Sequence, residues 1–232
     1  PQEAMLLVDW AVSREPDLEK VKPAVSKLMN LLSAALEQYQ DTQPKYPYEL
    51  KMAEENRRIR ACLSGLKEIT ARLNTPASES TEVLARQLDA LALAHDHYVD
   101  KENILFSYIE TYVKQHGCLK LMWSIHDDVR RSIKSLRALL DAEDPPQLRD
   151  INTLMGRLMF DIGHMIFREE KVLLPAVRSL IPPEAWERML GEQELGYEGR
   201  MHAAGSGSAA LPTGTLTAGQ LLQVFNNLPV DI

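Results

Sequence analysis

Four histidines and three glutamates are the residues of this sequence that could do metal chemistry. His95, His97 and Glu102 stand in one run, His126 in a second, and His164, Glu169 and Glu170 in a third. The first and third runs share a spacing: His97 precedes Glu102 by five residues, and His164 precedes Glu169 by five. Five residues advance an α-helix by about 140°, so each pair flanks a wide inward face instead of stacking. Imidazoles together with carboxylates suit iron, manganese or zinc, and inward His/Glu sets are how helical bundles hold such ions. Taken alone, His126 reads more simply as a hydrogen-bonded core residue. The two repeated pairs with a third histidine favour a metal site. Glu170 competes with Glu169, because the helix around them is apolar on nearly all sides.

These residues need helices to position them. Leu84, Leu88, Leu91, His95, Tyr98, Glu102, Leu105, Ile109 and Tyr112 recur at intervals of four and three, the pattern of a helix buried along one stripe. A carboxylate on that stripe is costly unless paired, protonated or bound to a metal. The stripe favours His95 as the inward histidine, whereas the five-residue spacing favours His97.

Further helices are predicted over residues 4–14 and, capped by Asp17, over 17–40. The bundle segments are 47–73, 81–115 with Gly117 as its stop, 119–141 and 147–180. Short turns between long helices imply antiparallel neighbours. The expected fold is all-α: an up-down-up-down four-helix bundle over 45–190, with an N-terminal helical extension over 1–44. A short helix over 184–190, a Gly/Ala/Ser-rich linker over 191–215 and a last helix over 216–228 complete the reading.

Composition bounds the function. The chain has 232 residues and a net charge of −7, with basic residues spread out, which argues against nucleic acid. No run is apolar enough to span a membrane and no signal peptide is visible. Cys62 and Cys118 read as free thiols of a cytoplasmic protein. The start at Pro1 reads as an excised piece. The N-terminal helix suits either capping of the bundle or a homodimer.

The run from His97 through Phe106, the run from Met122 through Arg130 and the run from Met165 through Pro175 resemble the hemerythrin-like HHE cation-binding domain. Glu54–Ile59 and the tail 211–232 resemble a subgroup in which that domain precedes a PAS sensor domain. The resemblance implies a four-helix bundle holding a non-haem di-iron centre. It implies His97, Glu102, His126, His164 and Glu169 as ligands, with His95 and Glu170 as additions. It also implies a diatomic ligand such as oxygen or nitric oxide, a sensory role more than a catalytic one, and a C-terminal PAS partner. The sequence departs from the family pattern in two places. Asn56 stands at the first-helix histidine, and the third helix carries one histidine where hemerythrins carry a pair. His95, Tyr46 or Tyr48 are the candidates to fill in. One or two irons, zinc, manganese, a haem on a histidine, and a bundle without metal are the expected alternatives.

Overall fold

Apolar stripes at helical spacing dictate most of what is built, in a computed structural model that describes residues 1–73, 81–142, 144, 146–206, 208–211 and 214–217. Helix α1 (Gln2–Arg14) leads to α2 (Leu18–Gln38). The Asp17 carboxylate caps α2 by accepting from the Glu19 amide at 3.1 Å, which satisfies one of the donors a helix start leaves open. A 3₁₀ turn (Gln40–Thr42) precedes α3 (Pro47–Leu73). Proline suits the first helical position, where its missing N–H is no loss. The buried Glu49 accepts from the Lys45 and Tyr46 amides at 2.7 and 3.1 Å and from Arg178 Nε at 2.8 Å.

The long second helix expected over 81–115 is interrupted. It comprises α4 (Thr81–Asp89), α5 (Ala92–Asp100), a π turn (Lys101–Leu105) and α6 (Phe106–Tyr112). At the first break the Leu91 amide bonds to the Leu88 carbonyl and the Ala94 amide to the Leu91 carbonyl, each at 2.9 Å. This three-residue spacing winds the backbone tighter than an α-helix and shifts the phase of every side chain after it. His95 is therefore exposed, and Ala94, His97, Tyr98 and Lys101 are buried.

Gly117 does not close this helix as expected. The chain leaves α6 in extended conformation at Val113, and Gly117, at φ −59°, opens α7 (Cys118–Leu140). Its amide donates to the Asp9 carboxylate of α1. A Cβ at this position would lie 2.7 Å from Asp9 Oδ1, so the glycine serves a close approach and not a left-handed turn.

Next come α8 (Leu148–Arg168), a second π turn (Glu169–Leu173), α9 (Leu174–Val177) and α10 (Pro183–Ser206). Helices α7 and α8 pack on each other; α3 lies against α4, α5 and α8; α4 and α1 both meet α7. The protein is helical through this region, in keeping with an all-α fold. Both cysteines are free, and burial pushes the Cys118 thiol up to about 12. Among the described residues no helix is long and apolar enough to cross a membrane.

The chain divides into two compact units, Pro1–Glu187 and Arg188–Ile232. Helix α10 continues to Ser206, through much of the stretch expected to be a linker. Gln, Glu, Leu, Arg, Met and Ala there are good helix formers, and each intervening glycine costs only about 1 kcal/mol. Strands β1 (Ser208–Leu211) and β2 (Gly214–Thr217) then pair antiparallel, with Ser208 opposite Thr217. Residues 216 and 217 are thus strand where a helix over 216–228 is expected. The rest of that helix, the 74–80 turn and most of the tail compared with a PAS junction lie outside the described residues.

Candidate metal centre

Side chains from α3, α5, α7 and the two π turns meet inside the helical unit. Asn56, Lys101, His126 and Glu169 are fully buried, and His97 nearly so. Each π turn begins with a charged residue of this cluster: Lys101 opens the first and Glu169 the second. Such turns are frequent at functional sites.

Glu169 is the hub. Its Oε2 accepts from the Lys101 ammonium and its Oε1 accepts from the Asn56 amide at 2.8 Å. His97 Nε2 lies 3.6 Å from the same Oε2. Burial alone would push the Glu169 carboxyl up, but the Lys101 charge and His97 outweigh it and hold the group well below the usual carboxylate range. The Lys101 ammonium also stands 4.7 Å from the centre of the Tyr98 ring, a cation–π contact that a desolvated site strengthens.

The two inward histidines are oriented from outside. His97 Nδ1 is 2.7 Å from Glu55 Oε2, and His126 Nδ1 is 2.7 Å from Glu102 Oε1. Arg130 donates to the other Glu102 oxygen at 2.8 Å. Burial would raise the Glu102 carboxyl, yet the His126 and Arg130 hydrogen bonds lower it. Tyr98 stacks on His126 with ring centres 4.0 Å apart, and Phe106 lies 5.9 Å from the same imidazole. Burial, with the Glu169 charge beside it, raises the Tyr98 phenol far above its ordinary range. Four buried atoms of this cluster have no hydrogen-bond partner: His97 Nε2, His126 Nε2, Tyr98 Oη and Asn56 Oδ1.

His126 gives the site a pH signature. Burial pushes its imidazole down to about 3, with the Glu102 hydrogen bond opposing. An unfolded histidine protonates near 6.5. Between those values the unfolded chain binds the extra proton, so stability falls as pH drops, by up to about 1.4 kcal/mol per pH unit. Urea unfolding across that window should show a slope that His126→Gln reduces by about this amount. An unchanged slope would assign it to other groups.

The structure brings together four of the seven residues singled out in the sequence, in two roles. His97, His126 and Glu169 face the centre. Glu102 is turned outward, orienting His126. His164 is half-buried on the far side of α8, stacked on Phe160 at 4.0 Å, where burial and the Arg168 charge lower its pKa. Glu170 binds Arg60 through two bonds of 3.0 and 2.6 Å and takes a 3.2 Å bond from Asn56. His95 lines an open groove with Arg130, Lys134 and Arg137. Tyr46 stacks on Trp186, and Tyr48 tilts against the same ring.

Sequence reasoning missed Lys101, Glu55 and Arg130. A lysine amid histidines and carboxylates reads as a solvated charge. The signal that identifies it is its place four residues after His97, on the stripe of Ala94, His97, Lys101 and Leu105.

The donor set can be tested against a metal ion, which needs free lone pairs on neutral or anionic ligands. His97 Nε2 and His126 Nε2 meet that requirement. Glu169 does not as it stands, since both its oxygens are engaged and one carries an ammonium. That ammonium would also repel a second cation. Among the described residues no three His, Cys, Asp or Glu side chains are grouped to hold an ion. The residues present do not fit a di-iron centre.

No curated protein matches the chain. The family model of the hemerythrin HHE cation-binding domain matches residues 51–177, over half of the sequence. That span contains every residue of the central cluster, from Glu55 on α3 to Glu169. This chain belongs to the hemerythrin HHE cation-binding domain family, whose members bind metal cations, typically iron.

Proposed function

We propose that the chain is a regulatory bundle of this family, antiparallel up-down-up-down with α1 and α2 as an added layer. Its central cation is supplied by Lys101 and not by a metal. The observation that carries this reading is the buried pair of Lys101 and Glu169, placed where two π turns open. A buried ion pair is poor evidence for stability but a good device for fixing one arrangement. Here it joins α5 to the end of α8, so an event that separates the two charges would release both π turns together. Two helices would then move against one another, which is how a packed bundle passes a signal. We infer that such a signal leaves through the C-terminal segment toward a PAS-type or comparable output domain.

A second reading rests on the unpartnered His97 Nε2 and His126 Nε2. If Lys101 swung away, those nitrogens and Glu169 would be a three-donor set for a single iron or zinc ion, the minimum for a sensor of oxygen, nitric oxide or redox state. Elemental analysis of the purified chain, before and after anaerobic loading with ferrous iron, separates the two. The Lys101 reading predicts far less than one metal per chain and an unfolding midpoint unmoved by iron. Stoichiometric iron with a raised midpoint would overturn it in favour of the second.

A further inference from the structure

Away from the centre, a cavity of about 380 Å³ is lined by α2, α7 and α8. That is within the usual range for small-molecule sites. Most of its charges are already matched. Lys22 lies 2.5 Å from both Glu19 and Asp128, and Asp128 also takes Arg131. Two opposite charges are left with an unserved buried atom. Arg168, 6% exposed, donates from Nη2 to Ser26 Oγ at 2.9 Å, while its Nε has no partner. Asp161 Oδ2 has no hydrogen bond; its nearest cation, Arg157 Nε, is 3.7 Å away. Arg168 also borders a small cavity walled by Met5, Val8, Met29 and Leu121. That wall offers no oxygen, so an acceptor for Nε must come from the polar side.

We propose that this cavity binds a small zwitterion of the α-amino acid class. Its carboxylate meets Arg168, with His164 as a second polar neighbour, and its ammonium meets Asp161. The ligand side chain lies toward Phe160, Ile125 and Pro23, which supply the apolar wall. A multiply charged anion is disfavoured by Glu19, Asp128 and Asp161 on the same wall, and a simple cation by Lys22, Lys27, Arg157 and Arg168. A ligand carrying both signs serves both buried atoms with charge-assisted hydrogen bonds, and an unserved buried donor or acceptor carries the full desolvation cost.

Thermal unfolding and titration calorimetry of the whole chain with the standard L-amino acids test this. At least one should raise the unfolding midpoint at millimolar concentration. Its N-acetyl and carboxamide forms should bind at least about tenfold more weakly, the loss expected for one charge-assisted hydrogen bond. Asp161→Asn should weaken binding similarly while leaving the circular dichroism unchanged. Arg168→Lys should do the same if it folds; the ligand derivatives and Asp161→Asn carry the test if it does not. No shift with any amino acid, or equal binding of the blocked forms, would overturn the proposal.

Discussion

Lys101→Met should destabilise the protein by about 3–5 kcal/mol at neutral pH, the usual cost of stripping one partner from a buried ion pair. The sign follows from Glu169. With Lys101 present its carboxyl is held below the ordinary range. It therefore contributes stability that is present above about 4.5, the ordinary value, and is lost as pH falls through the folded value. Without the ammonium, burial dominates and pushes the carboxyl up, so the folded protein must either bury a lone charge or take up a proton. Lys101→Met/Glu169→Gln should recover most of the loss, because both charges leave together and the Asn56 amide keeps an acceptor. Urea unfolding of the two single variants and the double variant at pH 7 yields the coupling directly. A loss below about 1 kcal/mol in Lys101→Met would mean that the pair does not organise the core.

The second large effect is a gain. Lys101→Glu replaces the ammonium on Glu169 by a carboxylate, in a cluster that also holds the unpartnered Nε2 atoms of His97 and His126, and so adds a donor where a cation stood. Without metal, two close buried carboxylates with no cation between them leave the variant far less stable than the parent. With zinc or ferrous iron it should be rescued: ligand at about a hundred times its dissociation constant stabilises by about 2.7 kcal/mol. The parent chain should not respond. Unfolding midpoints of both proteins, with and without added zinc, give the comparison. A variant indifferent to every metal would show that its donors do not converge.

Much of this was legible in the helical spacing. Of the α3 stripe at helical spacing, Met52, Asn56, Ile59, Leu66 and Leu73 are buried and Leu63 is half-buried, and Asp17 caps α2 as its position suggests. His97 and Glu169 could be found through the repeated five-residue His–Glu spacing, and His126 because a buried imidazole is costly without a partner. What could not be read is phase. The tightened turn at Leu88–Ala94 and the π turns at Lys101 and Glu169 each shift the helix relative to a uniform period. An even count through them puts His95 inside and gives Lys101 no place. His164 is lost for a different reason: α8 is regular from Leu148 to Arg168, and the advance of about 140° over five residues leaves His164 half-buried beside Phe160 once Glu169 points to the centre. The role of Lys101 needs tertiary information, since nothing local says whether an ammonium meets water or a carboxylate from a helix 68 positions away.

The most direct test of an internal cation is nuclear magnetic resonance of the lysine ammonium groups in protein labelled with nitrogen-15 at lysine. One ammonium resonance should persist at neutral pH, protected from exchange by burial against Glu169, and it should vanish in Lys101→Met. Adding zinc or ferrous iron should leave it in place. If no protected ammonium is seen in the folded parent chain, or if stoichiometric metal displaces it, the centre belongs to a metal and not to Lys101.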